Sequence, residues 1–348
     1  MPLLPAVALW GGHAVQGGPE DPRAVRPCCR GNAARGRGLP VADRVHARRA
    51  LGGDLRQRND ARADARQWLR HVELAGTVLL EALPADDGSV PDTELLLQLV
   101  AATPSAYVRA QIRDAATATR FLDAGAVKAV VEAGTAPDAL QGVPRDRLVL
   151  AVPLGSTADA VVREVQLLGG LVGSVLLLAA GATGAATDGA LLQLVRNSLR
   201  TAFPHLQLAC ALPRQATAEA LAALEQLHID AVVGPALYSG ALSLADAITA
   251  PLVSDRTDGL FPTVVVDELG VALGLVYSSR ESIAEAVRLR QGVYQSRKKG
   301  LWVKGATSGA TQELLRIDLD CDSDALRFVV RQHGSGMRCS TETGTALH

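Results

Sequence analysis

A chain of 348 residues, 48% hydrophobic and 20% charged, is long enough for two domains, or for one large barrel with a small module beside it. Its net charge of −1 excludes the overall basic field that gathers nucleic acid. Five cysteines, an odd and scattered set, exclude a disulfide framework and point to a reducing, cytoplasmic compartment.

The apolar start MPLLPAVALW has no preceding charge and no cleavage site, so it reads as a first strand, Leu3–Leu9, and not as a secretory signal. Residues 21–70 are dense in arginine and short of large apolar side chains, and their weak periodicity predicts disorder or poor packing. With no lysine and with Trp68 as its one aromatic, the stretch makes a weak nucleic-acid arm.

From His71 to Leu252 short apolar runs alternate with amphipathic helical patterns. Strands are expected near Thr77–Leu80, Ala106–Ala110, Val127–Val131, Leu148–Val152, Ser174–Leu178, Leu206–Cys210 and Asp230–Val233. Stretches such as DAATATRFLDAG and TAEALAALEQLHI supply the helices between them, and Gly125 falls where the first of these must stop in a left-handed conformation. The uncharged run Leu167–Thr187 is broken by five glycines into a helix end, a turn and a buried strand, so no membrane span is expected. With Leu3–Leu9 the count is eight strands, and eight β-then-α units predict a parallel sheet closed as a (β/α)8 barrel over residues 1–252.

Residues 253–348 read as a small α+β module. PTVVVDELG and VALGLVYSS are two strands joined at Leu269-Gly270. A helix follows over about Glu281–Arg290, with Ser278 and Glu281 spaced as a capping box. GVYQSRKKGLWVKG reads as a hairpin, and ELLRIDLDCD and DALRFVVRQ are strand-like, although the second also fits a helix. The stretch DLDCDSDAL crowds carboxylates around a thiol. If extended, it would set Asp318, Asp320, Asp322 and Asp324 on one face and Cys321 on the other. Hard oxygens on one side suit magnesium and a soft sulfur on the other suits zinc; a plain solvated acidic loop is the bland alternative. A calcium EF-hand loop is excluded, because Ala325 replaces its glycine and Arg331 its closing glutamate.

The opening LLPAVALWGGHAV, with IRDAATATRFLDAGA, AGTAPD and AVVGPALYSGALSL, resembles the barrel isomerases of histidine biosynthesis. That resemblance implies an acid–base aspartate where Ala8 stands and a second where Pro153 stands. It also implies phosphate-binding glycines where this chain has Arg109-Ala110-Gln111 and Ala211-Leu212-Pro213. An alanine moves no proton and a proline offers no N–H, so the implication is a degenerate barrel with the fold and without isomerase chemistry.

SRKKGLWVKGATSGATQELLRIDLDCDSDAL resembles the signature of phosphoribosyl-AMP cyclohydrolases, most like the amino-terminal part of fungal multifunctional histidine-biosynthesis proteins. The resemblance implies hydrolytic opening of the purine ring of phosphoribosyl-AMP by a zinc-bound water, with magnesium assistance, in a homodimer with shared metal sites. It carries Cys321 and Cys339 over as zinc ligands and Asp320, Asp322 and Asp324 as magnesium ligands. Ser296, Arg297, Trp302, Lys304, Gly305, Thr307, Ser308 and Gly309 carry over as the substrate-binding stretch. Four positions depart from the pattern: Ala306, Ala310, Ser340 after Cys339, and Ala346 where a further cysteine stands in the family. They leave open an alternative, a non-catalytic scaffold or metabolite-binding protein built from two degenerate enzyme domains.

Overall fold

The computed structural model describes residues 4–9 (backbone only), 68–82, 93–155, 157–179, 189–298 and 300–334. The arginine-rich stretch up to residue 67, and Cys339, Ser340 and Ala346, lie outside the described residues. The described chain divides into two compact units, one ending at Ser243 and one beginning at Leu244.

The first unit is a closed eight-stranded barrel: β1 (Leu4–Leu9), β2 (Thr77–Glu81), β3 (Ala106–Ile112), β4 (Lys128–Glu132), β5 (Leu148–Pro153), β6 (Ser174–Leu178), β7 (Gln207–Ala211) and β8 (Asp230–Val233). Strands β2 to β8 are parallel, in sequence order. Helices Ala115–Asp123, Ala158–Gln166, Gly189–Ala202 and Ala218–Gln226 fall where the amphipathic patterns predicted them. Asp114, Thr157 and Thr217 cap three of them by accepting a backbone N–H three residues on. Gly125 does end the first of these, at φ +113°. Alternation along the strands sends Leu79, Tyr107, Val130, Val149, Leu176, Ala209 and Val232 into one buried cluster.

One expectation is corrected. Strand β1 does not continue the parallel series: it runs antiparallel to both β2 and β8. A strand in either direction satisfies the two open edges, which is what closure requires. The reversal pairs Ala8 with Thr77, the first residue of β2. On its other edge Ala8 pairs with Val232 of β8, and the reversal turns the end of β1 away from the carboxy-terminal pole of the parallel strands, where barrel enzymes build their sites.

At that carboxy-terminal pole the next inward residues of β2, β3 and β4 are charged. Arg109 donates to both oxygens of Glu132, at 3.0 and 3.1 Å, and to Glu81 at 3.1 Å. Beyond Arg109 the strand register shifts, and Gln111 takes a left-handed φ of +52°. Gln111 thus holds a backbone conformation that glycine favours, at a position where the isomerase resemblance implies glycine.

The second unit holds a four-stranded sheet in the order β10-β9-β14-β13: β9 (Phe261–Val266), β10 (Ala272–Ser278), β13 (Gln312–Leu319) and β14 (Leu326–Gln332). Strand β14 pairs parallel with β9 and antiparallel with β13, so DALRFVVRQ resolves as a central strand. The hairpin β11 (Val293–Ser296) and β12 (Gly300–Val303) forms as expected. The helix spans Arg280–Leu289, but its capping box is Ser279 with Ser282, one residue on from the predicted pair. Ser278 is unavailable because its hydroxyl is buried against Thr263 Oγ1, at 2.8 Å. Helix Leu244–Thr249 packs in this unit, and Arg280 donates to the carbonyls of Thr249 and Leu252.

Tyr294, 1% exposed, donates its hydroxyl to Gln312 Oε1 at 2.6 Å, and its ring lies 5.7 Å from that of Phe328. Tyr294→Phe leaves a buried acceptor without that donor and is expected to cost about 1–2 kcal/mol in urea denaturation of the full chain.

Candidate functional site

The acidic stretch is not extended. Strand β13 ends at Leu319, and the chain turns before β14 begins at Leu326. Asp320 makes the turn by accepting the N–H groups of Asp324 and Ala325 on Oδ1, both at 3.1 Å. Ser323, 2% exposed, takes φ +59°, and its carbonyl accepts the N–H of Val253 at 2.9 Å. The predicted alternation of faces is therefore overturned by a side chain that captures its own backbone. Asp318 leaves the set altogether, because it pairs with Arg316 and Arg327.

The turn gathers three of the four carboxylates. One ligand oxygen from each of Asp320, Asp322 and Asp324 lies within 4.8 Å of the others. Oxygens about 2.1 Å from one magnesium ion lie up to about 4.2 Å apart, so a small closure of this trio would suit a hard cation. Burial first, then the hydrogen bond to Asp320 and the charges of Asp320, Asp322 and Asp255, push the Asp324 carboxyl up to about 6. A bound cation would relieve that repulsion.

Zinc fits the described residues less well. Cys321 is exposed on the same turn, and its Sγ lies 3.8 Å from Asp322 Oδ1. The other described cysteine, Cys210, is buried in β7 of the barrel unit, its thiol pushed up to about 12 by desolvation. Catalytic zinc takes three protein ligands, and the described part of this unit offers one thiol.

The predicted substrate stretch is split between two places. Trp302 and Lys304 lie together on and after β12, with Lys304 Nζ 5.7 Å from the indole centroid and Trp302 39% exposed. Gly305 to Gly309 form a tight turn closed by Gly309 N–H to the Gly305 carbonyl at 2.9 Å. A Cβ on Gly305 would meet the Ala310 backbone at 2.5 Å, so only glycine fits there. Thr307 and Ser308 are exposed on this turn. Ser296 ends β11 and Arg297 follows it, lying over the Tyr277 ring at 4.9 Å.

Tyr277 leads to residues that the sequence did not single out. The Arg256 guanidinium also lies over its ring, at 4.7 Å, and is held by Asp258 through two hydrogen bonds of 2.9 and 2.8 Å. The charge of Asp255 acts on both Arg256 and Asp324. A line of neighbours thus runs from Arg297 through Tyr277, Arg256 and Asp255 to the acidic turn. The signal available in the sequence was the polar run SDRTDG before β9, which reads as a linker when taken alone.

A small α+β unit with an acidic, cysteine-bearing turn and clustered arginines defines a class: residues 274–347 match the family described as phosphoribosyl-AMP cyclohydrolase. The histidine biosynthesis bifunctional protein his7 of Schizosaccharomyces pombe is 60% identical over 111 residues, which are 32% of this chain and 26% of the relative. The histidine biosynthesis trifunctional protein of Neurospora crassa is 65% identical over 96 residues, 28% of this chain and 11% of the relative. The bifunctional protein HisIE of Thermus thermophilus is 44% identical over 92 residues, 26% of this chain and 42% of the relative. The chain spans less than half the length of each of these three relatives. Residues 274–347, within the second unit, are thus similar to phosphoribosyl-AMP cyclohydrolases, and the closed barrel of the first unit is consistent with a degenerate (β/α)8 fold. No helix among the described residues is long and apolar enough to cross a membrane.

Proposed function

We propose that the second unit hydrolyses phosphoribosyl-AMP, opening its purine ring, as a cytoplasmic step of histidine biosynthesis. The observation that carries this reading is the convergence of Asp320, Asp322 and Asp324 within the turn of the matched motif. Those carboxylates would hold magnesium beside the substrate phosphate. Arg297 and Lys304 would take phosphate oxygens, and Ser308 and the backbone of Gly309 would donate to hydroxyl groups. Zinc, held by Cys321 and Cys339 with a further ligand, would supply an acidified water for attack on the ring. A second copy of the chain would complete shared metal sites. The exposed apolar side chains of β10, Leu273 and Leu275, with Val264 opposite on β9, offer such a copy a surface.

The barrel favours a second reading for its own half, that of a scaffold. Its Arg109, where a phosphate-binding glycine would stand, is already occupied by two carboxylates. The test of the hydrolase reading is metal analysis of the purified full chain, together with the absorbance change of phosphoribosyl-AMP on ring opening. Stoichiometric zinc and turnover are expected. A chain that holds no zinc and leaves the substrate unchanged would refute it.

A further inference from the structure

Two guanidinium groups share one aromatic face system, and they differ in what their edges do. Arg256 lies 4.7 Å from the Tyr277 centroid, with its in-plane N–H groups spent on Asp258. Arg297 lies 4.9 Å from the same centroid and makes no ion pair among the described residues. A guanidinium stacked on a ring is held by its face, and its donors point outward in its own plane. That plane is the one a phosphate or carboxylate needs for two parallel hydrogen bonds. A long, exposed arginine otherwise gives up rotamer freedom each time it binds, and a ring that fixes it beforehand lowers this cost. Tyr277 is itself fixed near the end of β10, paired with Pro262 of β9.

We propose that Tyr277 is a positioning residue: its ring, shared with the Asp258-anchored Arg256, holds the Arg297 guanidinium edge-open to receive the 5′-phosphate of the AMP half of the substrate. The inference rests on the hydrolase reading for the identity of that substrate, and on the contact of the guanidinium with the ring for the role of Tyr277. Arg256 adds positive charge next to the receiving edge, partly offset by Asp258 and by the neighbouring Asp255.

The test uses the full chain with 5′-AMP as the probe, at low salt and with magnesium chelated, by titration calorimetry. Tyr277→Phe keeps the ring and is expected to bind within about twofold of wild type. Tyr277→Leu removes the ring and is expected to weaken binding about fivefold. In an Arg297→Ala background Tyr277→Leu is expected to change little further. In turnover, Tyr277→Leu is expected to raise KM with kcat unchanged. A measurement on wild type guards against misfolding of the leucine variant: the Arg297 Nε–H proton resonance, assigned with Arg297→Lys, should be shifted upfield by the ring and move on AMP addition. If Arg297→Ala weakens AMP binding but Tyr277→Leu does not, or if the resonance is unshifted, the positioning role is overturned and the hydrolase reading stands. If wild type binds no AMP yet turns over phosphoribosyl-AMP, the inference is overturned and the hydrolase reading stands; if it does neither, both fall.

Discussion

Asp322→Asn with Asp324→Asn stabilises the metal-free second unit at neutral pH and, under the proposed function, lowers both magnesium affinity and turnover by at least about a hundredfold. Three carboxylates share the turn, and one of them, Asp324, is pushed up to about 6 by burial and by its acidic neighbours. Its folded pKa lies above the ordinary aspartate value of about 4, so folding takes up a proton between those two values. The contribution of this group to stability is therefore full below about pH 4 and is lost as pH rises through about 6. Magnesium has to displace that proton, so its affinity in wild type should rise between pH 5 and pH 7. Thermal melts of the full chain at both pH values, with and without magnesium, test the argument. In wild type the metal should raise the melting temperature of the second unit at pH 7 and far less at pH 5. In the double variant the metal-free melt should lose its pH dependence over this window, and magnesium should do little at either value. An equal response to magnesium in the two proteins would remove the acidic turn from the site.

The same turn shows what a sequence carries and what it hides. Ser174–Leu178 and Asp230–Val233 were legible to the residue, because strands buried on both faces are continuous apolar runs between turn residues. The direction of β1 was not legible, since an apolar run has the same pattern read either way and only its neighbours decide. The capping box slipped by one because Ser278 was already committed to Thr263, a contact between strands that local spacing does not encode. The carboxylates of the candidate metal site were legible as residue types, but their geometry was not. Asp320 spends one oxygen on the backbone N–H groups of its own turn, and that choice wins over the extended alternation. Tyr277 and Arg256 were invisible for another reason: their pairing with Arg297 joins three segments far apart in the chain.

Arg109→Met is expected to destabilise the barrel by about 3–5 kcal/mol at pH 7, since it leaves two largely buried carboxylates facing each other without their cation. Side-chain exposure is 11% for Arg109, 14% for Glu132 and 27% for Glu81, so water screens these charges poorly. Burial works against the arginine's charge, but the hydrogen bonds and charges of Glu132 and Glu81 outweigh it and raise its pKa. The three residues stand two positions beyond Leu79, Tyr107 and Val130 on adjacent strands, directly above the apolar interior. Methionine keeps most of the volume, so the loss reports charge more than packing. A further result separates the ion network from a simple cavity. Adding Glu132→Gln to Arg109→Met should return part of the lost stability at pH 7, giving a favourable coupling of 1 kcal/mol or more, on the order expected for directly paired groups. Native-state hydrogen exchange of the Leu79, Val130 and Val149 amides reads the barrel separately from the second unit. Unchanged protection in Arg109→Met would mean that the network adds no net stability, and that Arg109 is free to serve a ligand at the barrel mouth instead of closing it.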